Sequence, residues 1–543
     1  MTEEIQDIFD EIRNIMQPDM DCTARYHALD ALLLRALKDR TRHSPVDFTH
    51  TAARLYWLCK QTGHPSHPLE VFRARAGRIQ KGLFLPDGEA EAYDLKAVCE
   101  GLAAFYQTHV PEDVQKRLPR HWRPAPAPAE KVSQAKRIRI TVHRWDEHFI
   151  YGKDHTHPTE QLLKVEYADE TDRTFADLKE QLYEGAQLNL LSVKTIKAEG
   201  AYPYVLKPEI LVLDPDFLID ITALCACIKP YGYSAYTHLL NKFAPPARSA
   251  AIQLGNAANQ FLDDCVNENR DLERAETSEN EVFRLGSAER ERFTQNADGT
   301  AEAELYLRSM QNSFRLSPLA WSTLPDIDRD FFNRCEMQFR HIRQTVRNSF
   351  SAAGIDIRQT EVELEPSFLC EALGLQGRMD LLTRNADKLV ELKSGKADEY
   401  PYRSPKDEHR LQMALYKEIL YYNLDRRHEQ VQSYLFYSRY PGLYAVDVPR
   451  SHIRRVMALR NAILHIEHRL RRGESRALID ELTEERLNVN GRGDRLYTRY
   501  LRPRMMEILT PLHGMRGAEA DYFHRFLTFT AREQFRAKVG DDR

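Results

Sequence analysis

The sequence lacks the features that define several common classes of protein. Its eight cysteines form no CxxC pair and follow no zinc-finger spacing, and their scatter fits reduced, structural thiols in a cytosol. No stretch approaches ~18 consecutive apolar residues, so we predict no transmembrane helix. The N-terminus is acidic and amphipathic, without the basic start and apolar stretch of a secretory signal. These absences predict a cytoplasmic protein that does not associate with a membrane.

The signature of a nucleotide-driven motor is also missing. The chain has no GxxxxGK[ST] loop, because the run Leu392–Lys396 lacks the first glycine and the GK[ST] ending. The formal net charge of −4 argues weakly against a general nucleic-acid coat protein. It does not argue against an enzyme with one basic channel, because the field near a cleft matters more than the total charge.

The pattern along the chain predicts a multidomain α+β protein. At ~100–200 residues per domain, a chain of 543 residues has room for three or four domains. We predict a helical domain over 1–120, a Pro/Ala linker over 121–135, a small β-barrel-like, OB-like domain over 136–218, a mixed α/β core over 219–448 and a basic helical C-terminal region over 449–543.

Three sequence patterns support this division. Apolar residues recur at three- and four-residue steps in Tyr26–Leu37 and Leu95–Tyr106, as in amphipathic helices. Arg123–Ala129 alternates proline and alanine, which is typical of a semi-rigid linker. Arg137–Val142 alternates strictly between polar and apolar residues, and further short strand candidates follow it. The helical domain is interpreted as a scaffold or partner-docking unit, and the barrel either holds single-stranded DNA or is purely structural.

The segment that carries chemistry is a predicted hairpin around the polar turn Arg384–Asp387. A turn centred on its two middle residues places Asp380 directly opposite Glu391. Lys393 lies two residues beyond Glu391 and therefore points to the same face. An ExK triplet alone is common on solvated strands. Here a GxxD precedes it at hairpin spacing, and the leucine and valine neighbours indicate a buried strand pair. Charged side chains are costly to bury there unless they serve a site.

Two carboxylates placed opposite each other need a cation. They repel one another unless positive charge lies between them. Oxygen ligands with open coordination positions suit Mg²⁺ or Mn²⁺. A bound divalent ion acidifies a water molecule and neutralises charge that builds up on a phosphate, and Lys393 is expected to orient that water and help remove its proton. The set Asp380, Glu391 and Lys393 therefore predicts hydrolysis of a phosphodiester bond.

A helix predicted over 405–422 adds a second set of polar groups. His409, Gln412 and Tyr416 step by three and four residues, so they share one helix face. We expect Gln412 and Tyr416 to support the substrate and the lysine, and His409 to contact DNA.

The motifs Gly377-x-x-Asp380, Glu391-x-Lys393 and Gln412-x-x-x-Tyr416 together resemble the RecB-type branch of the PD-(D/E)XK nuclease superfamily. That branch includes recombination exonucleases, CRISPR-associated exonucleases and the nuclease parts of helicase–nucleases. The resemblance implies that the 219–448 core is an α/β nuclease fold with a mixed sheet. It also implies DNA as the substrate, with single-stranded or flapped DNA favoured.

The same resemblance implies further site residues. Relatives carry G-x-x-x-H on an early helix, and here Gly255 is followed by Asn259, whose oxygen ligates a hard cation less strongly than the usual histidine does. The alternative is that this helix only packs. A glutamate before the GxxD serves the site in some relatives; a solvated acidic face is the alternative for the candidates here, which are Glu361, Glu363 and Glu365.

Many relatives also hold a four-iron, four-sulfur cluster through one cysteine before the core and three after it. Cys225 and Cys227 lie where the first would be, but no cysteine follows Cys370. We therefore expect no iron–sulfur cluster, and interpret Cys225 and Cys227 as structural.

The C-terminal region is rich in arginine. Residues 450–516 contain 15 arginines and no lysine, against 8 acidic residues. Arginine supplies charge for phosphates, and tyrosine stacks on unpaired bases. Contacts with nucleic acid are therefore expected from Arg492, Arg495, Tyr497, Arg499, Tyr500 and Arg502. The alternative is a charged helix surface paired with acids such as Glu484, Glu485 and Glu507.

The apolar-aromatic run Tyr522–Phe529 is interpreted as the start of a further packed unit. Because relatives often fuse this nuclease to a helicase, we expect a helicase either fused beyond the C-terminus or acting as a partner.

The function predicted from the sequence is that of a Mg²⁺- or Mn²⁺-dependent deoxyribonuclease. Asp380, Glu391 and Asn259 would hold the metal, Lys393 would activate water, and Gln412 and Tyr416 would support catalysis. The alternative is a non-catalytic DNA-binding or scaffold subunit with a retired nuclease fold, although such sites usually lose a carboxylate or the lysine. A restriction enzyme would need a base-reading module, which the barrel or the N-terminal helices would have to provide. Repair, recombination and anti-phage defence all stay open as pathways.

Overall fold

The computed structural model describes residues 3–540, except 45, 47, 49, 84–86, 123–133, 199, 246–248, 278–298, 358–360 and 399–402. The core of the predicted linker, Arg123–Ala129, lies outside the described residues. Over the described part of the chain, no helix combines the length and apolar character needed to cross a membrane.

The chain begins with a set of packed helices. Aspartates start two of them: Asp21 accepts a hydrogen bond from the backbone of Ala24 at 2.9 Å, and Asp87 accepts one from Ala90 at 2.7 Å. Their apolar stripes meet in a separate hydrophobic core. The helices are α1 (Glu3–Ile15), α2 (Cys22–Thr41), α3 (Thr51–Thr62), α4 (His67–Gln80), α5 (Gly88–Phe105) and α6 (Glu112–Gln115).

A closed five-stranded barrel follows. The strand order is β1-β2-β3-β5-β4, and β4 pairs back with β1 to close it. Only the β3–β5 pairing in this ring is parallel. The closed barrel confirms the β-barrel that the alternating sequence predicted. The elements are β1 (Gln134–Trp145), β2 (Phe149–Asp154), β3 (Leu163–Glu166), α7 (Leu178–Gln181), β4 (Gln187–Lys197), β5 (Tyr204–Lys207) and β6 (Ile210–Leu213), which adds to β4.

The next part of the chain combines helices with two small sheets and the strand pair β8–β9. A five-stranded mixed sheet has the order β10-β13-β14-β15-β16, in which only β14–β15 is parallel, and a three-stranded sheet has the order β11-β12-β7. The predicted mixed sheet is therefore confirmed. The strands are β7 (Ile219–Asp220), β8 (Ile228–Lys229), β9 (Gly232–Tyr233), β10 (Val362–Leu364), β11 (Ser367–Cys370), β12 (Leu375–Arg378), β13 (Leu381–Thr383), β14 (Lys388–Lys393), β15 (Gln432–Tyr437) and β16 (Tyr444–Val446).

Helices pack around these sheets and continue to the end of the described chain. They are α8 (Ile221–Cys225), α9 (Ala235–Phe243), α10 (Ala250–Thr277), α11 (Gly299–Leu316), α12 (Pro318–Ser322), α13 (Arg329–Gln344), α14 (Phe350–Ala352), α15 (Asp407–Leu424), α16 (Arg450–Arg472), α17 (Ser475–Glu481), α18 (Glu484–Leu487), α19 (Arg502–Gly514) and α20 (Gly517–Val539), with short π-helical turns at Thr345–Ser349 and Tyr497–Leu501 and a 3₁₀ turn at His428–Gln430. The run Tyr522–Phe529 lies within α20, where Tyr522, Phe526 and Phe529 are exposed.

The barrel and the mixed-sheet part share one continuous hydrophobic core. At their junction the guanidinium of Arg460, on α16, is fully buried. It donates hydrogen bonds to the backbone carbonyls of Leu213, of Asp214 at 3.1 Å and of Phe217 at 2.8 Å. Gly374 adopts φ +60° there, and a side chain in its place would collide with Arg460. A buried charge with several acceptors thus joins the two parts.

Candidate active site

The predicted hairpin is present, in the predicted register. Strands β13 and β14 pair antiparallel with Leu381 opposite Val390 and Leu382 opposite Leu389. One step further along the same register, Asp380 stands opposite Glu391, as the sequence predicted. The apolar residues of this pair lie in the core, so the chain holds its two carboxylates on a rigid, buried support.

Glu391 is the best-held acidic side chain of the site. Its Oε1 atom accepts hydrogen bonds from Nζ of Lys393 and from Nε2 of Gln412, both at 2.8 Å. Its Oε2 atom is buried and has no hydrogen-bond partner among the described residues. A buried carboxylate oxygen without a donor is costly, so this atom needs a further positive partner.

Asp380 lies half-buried beside it. Its Oδ2 atom accepts a hydrogen bond from the backbone N–H of Leu392 at 2.6 Å. Burial, followed by the charge of Glu391, raises the pKa of Asp380 well above its usual value. Burial alone would lower the pKa of Lys393, but the charges of Glu391 and Asp380 outweigh it and raise that pKa. Asp380 and Glu391 thus share the positive charge of one lysine.

Helix α15 brings the amide and the phenol to the carboxylates. The Gln412 amide also donates to the hydroxyl of Tyr416 at 3.1 Å, and that hydroxyl donates to the backbone carbonyl of Arg378 at 2.6 Å. Gly377 makes this packing possible, because a Cβ atom there would lie 2.9 Å from Cε1 of Tyr416. The glycine of the GxxD motif is thus needed where the helix crosses the strand.

These groups open onto a polar cavity of about 300 Å³. Asn259 reaches it from α10. Gly255, one turn earlier, lies close to the residue that follows β14, since a Cβ atom there would be 3.3 Å from Oγ of Ser394. The close approach of the two elements explains how Asn259 arrives at the site. The lining residues are Asp220, Thr222, Asn259, Arg378, Asp380, Glu391, Leu392, Lys393 and Gln412.

Three polar residues of this lining, Asp220, Thr222 and Arg378, were not predicted from the sequence. Asp220 begins α8 by accepting a hydrogen bond from the backbone of Thr222 at 2.8 Å, and β7 brings both to the site by pairing with β12. Their only local signal was this helix start. Arg378 is exposed at the rim, within the GxxD motif itself, and pairs with Glu365 at 3.1 Å. A charged residue on a strand beside the predicted carboxylates was the signal for Arg378.

The donors present fit a hard divalent cation. Asp380, Glu391 and Asn259 offer carboxylate and amide oxygens, and the partnerless Oε2 of Glu391 is a buried acceptor. Within the described residues, no group of three or more His, Cys, Asp or Glu side chains converges as a metal site. Asp380, Glu391 and Asn259 together offer two carboxylates and an amide, and the carboxylate of Asp220 lines the same cavity.

His409 is held away from this cluster. Its Nδ1 atom bonds the hydroxyl of Tyr437 at 2.8 Å. Burial, with the charges of Lys393 and Lys406, lowers the pKa of His409 to about 3. The imidazole is therefore neutral near pH 7, and any contact with DNA would be a hydrogen bond rather than a charge pair.

The three glutamates before the GxxD motif lie in two different environments. Glu361 pairs with Arg384 at the surface, and Glu363 is exposed. Glu365, through its pair with Arg378, is the one of the three next to the cavity. Cys225 and Cys227 are buried, and burial raises the pKa of both thiols.

The arginine-rich segment makes contacts within the protein. Arg492 pairs with Asp494, and Arg502 pairs with Glu484 at 2.9 Å. Tyr497 is 2% exposed and donates to Glu484 at 3.1 Å, which corrects the prediction that this ring stacks on bases.

The other three predicted residues of this segment, Arg495, Arg499 and Tyr500, are exposed, with the Arg499 guanidinium 5.5 Å from the Tyr500 ring centre. Of the described residues that line the cavity, none comes from this segment.

Comparison with known proteins gives one family. Residues 220–488 match the family model of the PD-(D/E)XK nuclease superfamily. None of the curated proteins compared with the chain matches it.

Proposed function

We propose that this chain, whose residues 220–488 form a PD-(D/E)XK nuclease superfamily domain, is a Mg²⁺- or Mn²⁺-dependent deoxyribonuclease. The observation that supports this most is the meeting of Asp380, Glu391 and Lys393 at one polar cavity. A protein that had retired this chemistry would have no need to keep two repelling carboxylates in a buried position.

The proposed roles follow from the contacts. Asp380, Glu391 and Asn259 would hold the ion, which supplies charge neutralisation at the phosphate and an acidified water. Lys393 orients the attacking water and moves its proton. Arg378, exposed at the rim, contacts a substrate phosphate.

Gln412 and Tyr416 act through other residues. Gln412 fixes the carboxylate of Glu391, and Tyr416 ties Gln412 to the backbone of Arg378. They are positioning residues, and they set the geometry of the metal ligands.

Single-stranded or flapped DNA is the proposed substrate, and a helicase is the proposed partner. Both rest on the resemblance of the three motifs to the RecB-type branch. Arg495, Arg499 and Tyr500, which are exposed, would contact the same strand.

The test is cleavage of end-labelled single-stranded, flapped and duplex DNA in Mg²⁺, Mn²⁺ or EDTA, beside an Asp380→Ala control. We expect metal-dependent cleavage that the control abolishes. Absence of cleavage under every condition would overturn the proposal, and cleavage that persists in Asp380→Ala would overturn the site.

A further inference from the structure

The barrel carries a cluster of aromatic and cationic side chains on its outer surface. Phe149 and Tyr151 lie two residues apart on β2, so they share one face of the strand. Phe149 is half-buried, and Tyr151 is 7% exposed and donates to Asp146 at 3.2 Å. Arg144 on β1 stands opposite Tyr151, and Lys164 on β3 stands opposite it on the other side. Tyr202, in the β4–β5 loop, completes the set. We call Arg144, Phe149, Tyr151, Lys164 and Tyr202 the aromatic face.

The two cations of the aromatic face, Arg144 and Lys164, each lie over an aromatic ring. The Arg144 guanidinium is 3.7 Å from the centre of the Tyr151 ring, and Nζ of Lys164 is 3.8 Å from the centre of the Phe149 ring. Arg144 also donates to the hydroxyl of Tyr202 at 3.2 Å, and the rings of Tyr151 and Tyr202 are 5.3 Å apart. Among the described residues, neither Arg144 nor Lys164 has a carboxylate within ion-pair distance.

The acids near this face are already paired. Glu166 bonds Lys207 at 2.6 Å, and Glu147 pairs with Lys179. Asp146 accepts two backbone N–H groups of the β1–β2 loop, at 3.0 and 2.8 Å. Arg144 and Lys164 are therefore the cations that remain for an anionic ligand.

Other sides of the barrel are covered by the protein itself. The helical domain packs on one side, where Nζ of Lys153 bonds Glu70 at 2.8 Å. The nuclease domain packs on another, where the Asn189 amide bonds the carbonyl of Glu371 at 2.9 Å. The contacts of the aromatic face, by comparison, come from the barrel alone.

We propose that the aromatic face binds single-stranded DNA. Arg144 and Lys164 move from the rings to the phosphates, which uncovers Tyr151 and Phe149, and unpaired bases stack on these rings and on Tyr202. Stacking requires bases that are free of a duplex, which is why the ligand is a single strand. The inference rests on the proposed function for its ligand, and it adds where the substrate strand is held outside the cleavage site.

The test is a binding titration in EDTA, which prevents cleavage, by fluorescence anisotropy with fluorescein-labelled oligo(dT) and with a blunt duplex of equal length at one fixed salt concentration. Tyr202→Ala and Arg144→Glu change loop and surface residues, and Lys164→Glu provides a third surface variant. Tyr93→Ala and Lys116→Glu, both in the helical domain, are the matched controls. Circular dichroism of each variant checks that it is folded.

We expect the wild type to bind oligo(dT) more tightly than the duplex. Tyr202→Ala and Arg144→Glu should each raise the Kd for oligo(dT) by about ten-fold, while the controls stay within about two-fold. An unchanged Kd in all three face variants would overturn the inference, as would an equal loss for oligo(dT) and duplex.

The two proposals fail separately. Face-dependent binding in EDTA by a wild type that cuts nothing in Mg²⁺ or Mn²⁺ supports the binding site and overturns the nuclease. Metal-dependent cleavage, together with a Kd for oligo(dT) that is unchanged in the face variants, supports the nuclease and overturns the binding site.

Discussion

The side-chain amide of Gln412 donates a hydrogen bond to Oε1 of Glu391 across 2.8 Å. The same oxygen also accepts from Lys393, so two donors fix one oxygen and leave Oε2 for another partner. The orientation of the carboxylate is therefore set by a helix that lies outside the hairpin.

Replacing the donor group of Gln412 with an acceptor should slow cleavage. Gln412→Glu would place a carboxylate against Oε1 of Glu391, so we expect a rate loss of about ten-fold or more, larger than that of Gln412→Ala. Single-turnover cleavage over a range of Mn²⁺ concentrations measures it. Equal rates for the two variants would contradict the role of the amide as a donor.

Loss of the Lys393 side chain should slow cleavage without loss of fold. We expect Lys393→Ala to lower the cleavage rate by about 10²-fold or more, because it removes a positioned proton-transfer group. Lys396→Ala, on an exposed residue shortly after the end of β14, is the matched control and should cut normally. Near-normal turnover by Lys393→Ala would remove the lysine from the mechanism.

Gly377→Ala should disturb the site through Tyr416. The added methyl would lie 2.9 Å from the Tyr416 ring and 3.3 Å from Cδ1 of Ile221, so we expect a loss of about 1–3 kcal/mol in the free energy of unfolding and slower cleavage. Urea denaturation measures the first quantity. Gly395→Ala, where nothing lies within 4 Å of the new Cβ, should leave stability within about 0.5 kcal/mol of wild type.

Asp380→Asn should stabilise the metal-free protein while abolishing cleavage. Because the folded-state pKa of Asp380 is raised, the stability linked to its protonation is present at acid pH and lost as pH rises through that pKa. The variant should therefore melt at a higher temperature than wild type in EDTA at pH 8, with a difference that shrinks toward pH 4. Asp19→Asn, at an exposed position, serves as the control. A lower melting temperature for Asp380→Asn at pH 8 would show that the carboxylate stabilises the metal-free fold.

Divalent metal should stabilise the wild type, in which the ionised carboxylate of Asp380 otherwise lowers the melting temperature. An ion that binds the folded site alone stabilises by about 2.7 kcal/mol at a hundredfold excess over its Kd. We expect Mn²⁺ to raise the melting temperature of the wild type and to have little effect on Asp380→Asn. Equal shifts in both would place the metal elsewhere.

The predictable parts of the site are those that depend on residues close together in the sequence. The facing of Asp380 and Glu391 followed from one turn and a two-residue period, and Gln412 and Tyr416 followed from helical spacing. Asp220 reaches the cavity through a parallel pairing of β7 with β12, far along the chain, and no local pattern encodes such a pairing.

Tertiary contacts also determine which side chains of the arginine-rich segment are paired or buried. The sequence offered Glu484 as an alternative partner for the arginines, and Glu484 pairs with Arg502. Composition did not indicate that Glu484 would also accept from the hydroxyl of Tyr497. The same limit applies to the barrel, where alternation predicted strands and a barrel but not the position of Arg144 over Tyr151.

The common core of barrel and nuclease, joined by Arg460, has a mechanical consequence. Two modules on a flexible tether would sample many separations, whereas packing here fixes the spacing between the aromatic face and the carboxylates. A strand held on the first and cut at the second would span a constant path, so the number of nucleotides between the two contacts would be the same in every complex.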